Sequence, residues 1–251
     1  MRLFIALVLL LALPALADDL PAALQKVVRD GGTVVKSFPA PDGLTGWVVR
    51  IQGRPYIVYT TPSGSYVMSG VLLDSEGRNL TQQYGDMYVP KPDADKAVAA
   101  LNSDTWLVDD GKNGAPLIYV YADPNCAYCN KFWADLRPYV AAGKVHVRWA
   151  LLAFLKGTSK GRAAAILSAP NRTAALAEDE TRFDHEHEEG GIPELRPVSP
   201  DIQTVLAMHD QQMNEAGAQG TPTILVHRKD GWTIMYGAPP DMEKFIADLS
   251  R

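Results

Sequence analysis

An unbroken apolar run from Leu3 to Leu13 follows one basic residue, Arg2, and leads to the small residues around Ala15-Leu16-Ala17. This is the pattern of a secretory signal peptide, residues 1–17, cleaved before Asp18, and the run is too short to cross a bilayer comfortably. Residues 20–30 (LPAALQKVVRD) predict a short helix stopped by Gly31-Gly32. Short β-like stretches come next, at 33–38, 45–51, 55–61 and 65–73, separated by PAPDG, QGRP, TPSG and DSEG. Short strands between Gly, Pro and Asp turns predict an antiparallel meander. This unit, 18–90, is small for an independent core, and its sheet edges need a cover that a second copy of the chain could supply.

The stretch 89–104 opens with Pro90 and Pro92 and continues in helix formers, so 91–105 reads as a linker helix at a domain boundary. From Trp106 the pattern switches to alternating strand and helix. Residues 115–122 (APLIYVYA) form a near-continuous apolar strand, as burial on both faces requires. A helix over 126–143, ended by Gly143, and a strand over 144–152 complete a βαβ unit. Residues 158–216 read mainly as helices, the last with Ile202, Val205, Leu206, His209 and Met213 near one face. A hairpin over 221–228 and 232–237 and a closing helix over 239–249 end the chain. The expected fold is a two-domain α+β and α/β arrangement: a β-rich unit at 18–90, then a domain at 106–251 with a helical insertion at about 158–216.

Charge narrows the choice of partner. Loss of Arg2 with the leader moves the net charge from −5 to −6 (−5 − 1 = −6), which argues against a nucleic-acid surface built on clustered Lys and Arg. No later stretch is apolar enough to cross a membrane, so a soluble exported protein is expected.

Export changes how Cys126 and Cys129, the only cysteines, should be read. A bridge between them closes a tiny loop worth roughly 2 kcal/mol of chain entropy, against about 3 for a fifteen-residue loop. A passive staple is therefore a poor use of the pair. A zinc site would need further ligands, for which His146, or His185 and His187 in the acidic run 184–189, are the candidates; no second C-x-x-C exists, and a solvated loop suits that run better. No metal or cofactor is expected. A C-x-x-C in a βαβ context reads instead as a thioredoxin-like redox site. At the N-terminus of its helix, Cys126 meets unpaired backbone N–H groups that stabilise a thiolate and lower a pKa of about 8.5 in the free residue. Cys129, one turn on, is expected to be less accessible and able to attack a mixed disulfide formed at Cys126.

A second element is Gly220-Thr221-Pro222-Thr223, which leads into an apolar strand. Proline there cannot donate to a ladder, and a cis bond is one reason for its presence. The signal peptide, the small β unit, the linker helix and the segments APLIYVYADPNCAYCNKFW, RPYVAAGKVHVRW, AAAILSA and GTPTILV together resemble the DsbC/DsbG family of exported disulfide-interchange proteins. The resemblance covers the whole mature chain and is nearer to the DsbG side, which the absence of further cysteines also favours.

That resemblance implies a cystatin-like N-terminal dimerisation domain, a V-shaped periplasmic homodimer and a thioredoxin-like catalytic domain. It implies Cys126 as nucleophile, Cys129 as resolving thiol of a redox-active Cys126–Cys129 disulfide, Pro222 as a cis-proline, and Thr221 as the residue facing the thiols. Tyr128, which both branches of the family share, is a substrate-binding candidate with Thr221. The partners implied are exported proteins with oxidised cysteines and a DsbD-like membrane thiol reductase. Reduction of sulfenic acids or non-native disulfides is the expected activity; a chaperone-like binder of unfolded chains and a dithiol oxidase are the alternatives. Ala127 departs from the family, which has Pro or Gly there, and this leaves the reduction potential open. Of the aromatic residues near the thiols, Tyr119, Tyr121, Phe132 and Trp133, core packing suits Tyr119 and Phe132 better than a substrate platform. His209 reads as a satisfied histidine rather than a catalyst.

Overall fold

The computed structural model describes residues 20–249 apart from 52 and 219, so the expected signal peptide at 1–17 lies outside the described residues. The chain divides into two compact units between Pro90 and Lys91.

The first unit runs α1 (Ala22–Arg29), β1 (Thr33–Pro39), β2 (Thr45–Ile51), β3 (Arg54–Thr60), β4 (Val67–Ser69) and α2 (Leu80–Tyr88). Its strands pair in sequence order, all antiparallel, which is the topology of a meander. Side-chain alternation splits the sheet between two small cores. Val49 and Val58 pack with Leu24 of α1, whereas Phe38, Val48 and Tyr59 pack with Tyr84 and Tyr88 of α2. Phe38 stacks on Tyr88 at 4.4 Å between ring centroids. Gly46 permits this core, because a Cβ there would run into the Phe38 ring.

Two features differ from the sequence expectation. The fourth strand is shorter than 65–73, and each of its residues is exposed, so only a short backbone ladder with β3 holds it. The helix α2 was not expected: its apolar positions are only Leu80, Tyr84, Met87 and Tyr88, and it buries no residue fully. It is started locally instead: Asn79 caps it by accepting from the Gln82 N–H at 2.9 Å, and Thr81 Oγ1 meets Tyr59 Oη at 2.7 Å.

The second unit runs α3 (Ala94–Asn102), β5 (Val108–Gly111), β6 (Leu117–Ala122), α4 (Ala127–Ala141), β7 (His146–Leu151), α5 (Ser159–Ser168), α6 (Arg172–Thr181), α7 (Pro200–Glu215), β8 (Thr223–Arg228), β9 (Gly231–Tyr236) and α8 (Met242–Ala247). Its sheet has the order β5-β7-β6-β8-β9, parallel between β6 and β7 and antiparallel elsewhere. Both faces are covered. Ile118, Val120 and Ala122 of β6 point into a core with Phe132 and Leu136 of α4, whereas Tyr119 and Tyr121 point into a core with Leu101 of α3 and Met213 of α7. Burial on both faces is why β6 reads as a continuous apolar run.

The stretch expected as a linker is therefore a packed part of this unit, with Leu101 fully buried. The edge strand β5 escaped the sequence reading, because VDDG has no apolar pattern. It exists through pairing with β7, from Val108 opposite Trp149 to Gly111 opposite His146. The insertion holds α5, α6 and α7, with an irregular stretch over 182–199.

Candidate active site

The central strand β6 ends at Ala122 and delivers the chain to Asp123, which is almost wholly buried. Its carboxylate is saturated. One oxygen accepts from the Asn125 N–H at 2.9 Å and the Ser159 hydroxyl at 2.7 Å; the other accepts from the Phe154 and Leu155 N–H groups at 2.9 and 3.1 Å. Asn125 is equally committed: its amide donates to Thr158 Oγ1 and Ser159 Oγ at 2.8 and 2.9 Å and accepts from the Gly190 N–H at 2.9 Å. Gly190 must lack a side chain, since a Cβ there would meet the Asp179 carboxylate. The turn before the first cysteine is thus fixed on three sides, by residues around 154, the start of α5, and the loop near 190.

Cys126 is the N-cap of α4, and its Sγ accepts from the Cys129 N–H at 3.2 Å. Both cysteines are unbonded thiols, Cys126 at 4% exposure and Cys129 at 0%. Their ionisation diverges. The largest cause at Cys126 is the hydrogen bond to it from the Cys129 side chain; burial opposes it, and Thr221 and the backbone N–H groups of Cys129 and Tyr128 add to it, bringing the pKa down to about 7. The sequence reading credited the helix N–H groups alone, but the neighbouring thiol contributes more than they do. Burial drives Cys129 the other way, well above the usual thiol range, and the charge on Cys126 adds to this.

The antiparallel register Tyr121–Thr223 between β6 and β8 brings the residues before Thr223 to the same end of the sheet. There the Thr221–Pro222 peptide bond is cis, the Thr221 carbonyl oxygen lies 3.4 Å from Cys126 Sγ, and the Thr221 hydroxyl is buried without a hydrogen-bond partner. A cleft lined by Gly217, Gly220, Thr221, Pro222, Tyr236 and Gly237 opens beside it. Tyr128 projects into solvent from the first turn of α4, at 74% exposure. The fold therefore gathers Cys126, Cys129, Thr221 and Pro222 and leaves Tyr128 on the rim. A low-pKa thiol beside a buried one can attack an electrophilic sulfur, and the buried thiol can then attack Cys126 Sγ and displace the substrate as a thiolate.

The other candidates lie elsewhere. His146 pairs with Asp109 at 3.0 Å, and His187 with Asp184 at 2.8 Å in an exposed turn with His185. Among the described residues no His, Cys, Asp and Glu cluster could hold a metal ion. His209 is fully buried between the Leu151 carbonyl and Asp104, each at 2.8 Å. Tyr119, Tyr121, Phe132 and Trp133 are all buried. The sequence reading passed over Asp123, Asn125, Asn130 and Glu180. Asn130 donates to both the backbone oxygen and Oε2 of Glu180, at 2.7 and 2.8 Å. An amide on each side of the C-x-x-C was a visible signal, since buried amides need partners; Glu180, fifty residues on, gave none.

Residues 107–249 match the family described as thioredoxin-like domain, and residues 12–82 the disulfide bond isomerase protein N-terminal domain. The chain is 31% identical over 231 residues to the thiol:disulfide interchange protein DsbG of Pseudomonas aeruginosa, covering 90% of this chain and 87% of that one. It is 31% identical over 242 residues to DsbG of Escherichia coli, covering 94% and 95%. The chain belongs to the DsbC/DsbG family. Similarity extends to the DsbC branch, at 28% identity over 233 residues to DsbC of Haemophilus influenzae, with 89% and 88% covered. Family membership makes the chain a protein thiol:disulfide oxidoreductase of two domains, the second with a thioredoxin-like fold.

Proposed function

We propose that this protein is a periplasmic homodimer that uses Cys126 and Cys129 to reduce oxidised cysteines of exported proteins. The observation that carries the reading is the placing of Cys126 Sγ at the N-cap of α4, 3.2 Å from the Cys129 N–H and beside a fully buried second thiol, an arrangement that pulls the first thiol's pKa down and pushes the second's up. Cys126 thiolate attacks the sulfur of a sulfenic acid and releases hydroxide, or attacks a disulfide and releases a thiolate. Either attack gives a mixed disulfide at Cys126. Cys129 then loses its proton and attacks Cys126 Sγ, the Cys126–Cys129 bond forms, and the substrate leaves as a thiol. Two electrons have passed from the dithiol to the substrate, and a membrane thiol reductase of the DsbD kind restores the pair. Thr221, Pro222 and the exposed Tyr128 form the surface that receives the substrate chain beside Cys126.

Trapping with a Cys129→Ser variant tests this. Mixed disulfides with exported proteins are expected, and none with Cys126→Ser. Captured partners holding a single cysteine support sulfenic acid reduction, and partners holding several support isomerisation. If nothing is captured while a double Cys→Ser variant suppresses aggregation as well as the parent, the protein is a chaperone-like binder instead.

A further inference from the structure

The thiol chemistry leaves one buried group without a task. Glu180 lies at 5% exposure near the end of α6, and its neighbour Asp179 at 0%. Asn130, which follows Cys129 in the first turns of α4, ties the Glu180 carboxyl to the redox helix. Asp179 has one oxygen on the Ile192 N–H at 3.1 Å and the other buried with no partner. The cations whose charge reaches these acids are committed elsewhere, Arg137 to Asp110 and Arg162 to Glu189.

A carboxylate in so dry a place is costly, and burial pushes Glu180 up to about 8 and Asp179 to about 7. The charges facing Glu180 are Asp179 on its own helix, and Cys126 and Arg137 on α4; Glu180 is in turn felt at Cys129. Asp179 faces Glu178 as well, with Arg162 on α5 and Asp123 in the loop before α4. A thiolate at Cys126 and a carboxylate at Glu180 repel across low-dielectric space, so both ionise together only at a cost. Closing the disulfide removes the thiolate and with it the repulsion.

We infer that Glu180 is a redox-linked proton store, holding its proton while Cys126 and Cys129 are reduced and giving it up more readily once they have closed into a disulfide. The inference rests on the dithiol reading above. On oxidation the Cys126–Cys129 bond forms, the substrate S–S or S–O bond breaks, and two electrons pass to the substrate sulfur. The protons of Cys129 and Glu180 leave to the departing thiolate or to water. Re-reduction by a thiol donor returns a proton to each. Glu180 is a proton-holding residue, and no contact with the substrate is required of it.

Infrared difference spectra of the full chain, dithiol minus disulfide near neutral pH, test this directly. The parent is expected to show a protonated-carboxyl band that is stronger in the dithiol than in the disulfide form. Glu180→Gln loses that band, Glu180→Asp keeps it at a shifted position, and Asp179→Asn keeps it. Proton uptake per disulfide reduced should be greater in the parent than in Glu180→Gln, by up to about one. A merely structural hydrogen bond to Asn130 would move neither readout. A band that survives Glu180→Gln, or is lost only in Asp179→Asn, overturns the assignment. If mass spectrometry shows the disulfide formed but no carboxyl band changes in the parent, this inference alone fails. If no Cys126–Cys129 disulfide forms under oxidant, the dithiol reading fails with it. Should Glu180→Gln not fold, the parent, Glu180→Asp and Asp179→Asn spectra still decide.

Discussion

The two units bury opposite things. The unit after Lys91 draws polar groups inward: Asp123, Asn125, Asn130, Asp179, Glu180 and His209 are all buried beside the core of a sheet covered on both faces. The unit before it leaves apolar groups outside, with Tyr66, Val71 and Met87 each about two-thirds exposed and Met68 and Leu73 about half. A redox centre needs fixed dipoles in a dry interior, so its polar residues go in. Free apolar area is what a second copy of the chain would cover in the proposed homodimer. Chemistry should therefore respond to substitution in the second unit, and association to substitution on the surface of the first.

The largest break expected is at the thiols. Cys126→Ser should take reduction of a mixed-disulfide substrate to background while the circular dichroism spectrum stays that of the parent; unchanged turnover would remove the chemical half of the contrast. Next is the core of the same unit. Trp149 is fully buried, with its indole N–H on Asp110 at 3.3 Å, so Trp149→Ala should cost about 3–5 kcal/mol in denaturant unfolding. Val71→Ala, exposed within one chain, should change the stability of the monomer by no more than about 0.5 kcal/mol.

The same surface tests the other half. Val71→Glu combined with Leu73→Glu should convert a sedimenting dimer to a monomer and leave the Cys126 titration unmoved. A parent that sediments as a monomer would mean the exposed apolar side chains serve something other than self-association.

The most gradual effect is in pH. Asp179 and Glu180 have folded pKa values raised above the unfolded ones of about 4, so the folded state holds more protons in between. Their contribution is full below about 4 and is lost as pH rises toward about 7 to 8. Cys126 acts in the opposite sense, but only above about 7. Stability should thus fall between about pH 5 and 7, at about 1 kcal/mol per unit per carboxyl, and Glu180→Gln should flatten that slope. An identical slope in the variant would place the titration elsewhere.

What the sequence made legible follows the range of the interactions. The C-x-x-C and its helix cap are local, as are the hairpin β8–β9 and the alternation along β1 to β3, so residues a few positions apart announce them. The strand β5 is a strand only because β7 lies beside it, and α2 is capped by Asn79 but held by Phe38 and Tyr59 of distant strands. The Asn79-x-x-Gln82 spacing was the available cue for that helix. The supports of the thiols come from α5, α6 and the loop near 190, and no spacing in the chain points from Asn125 to Gly190 or from Asn130 to Glu180. The irregular stretch over 182–199 hid its role for the same reason: it looks like a solvated loop, and much of it is one, yet Gly190 reaches the turn before Cys126.

The whole account turns on unequal ionisation within one helical turn. Following ultraviolet thiolate absorbance against pH in the reduced parent, with Cys126→Ser as the blank, should give a Cys126 midpoint near 7, while Cys129 remains a thiol until well above the ordinary cysteine value. A Cys126 midpoint at or above about 8.5, the value of the free residue, would contradict it.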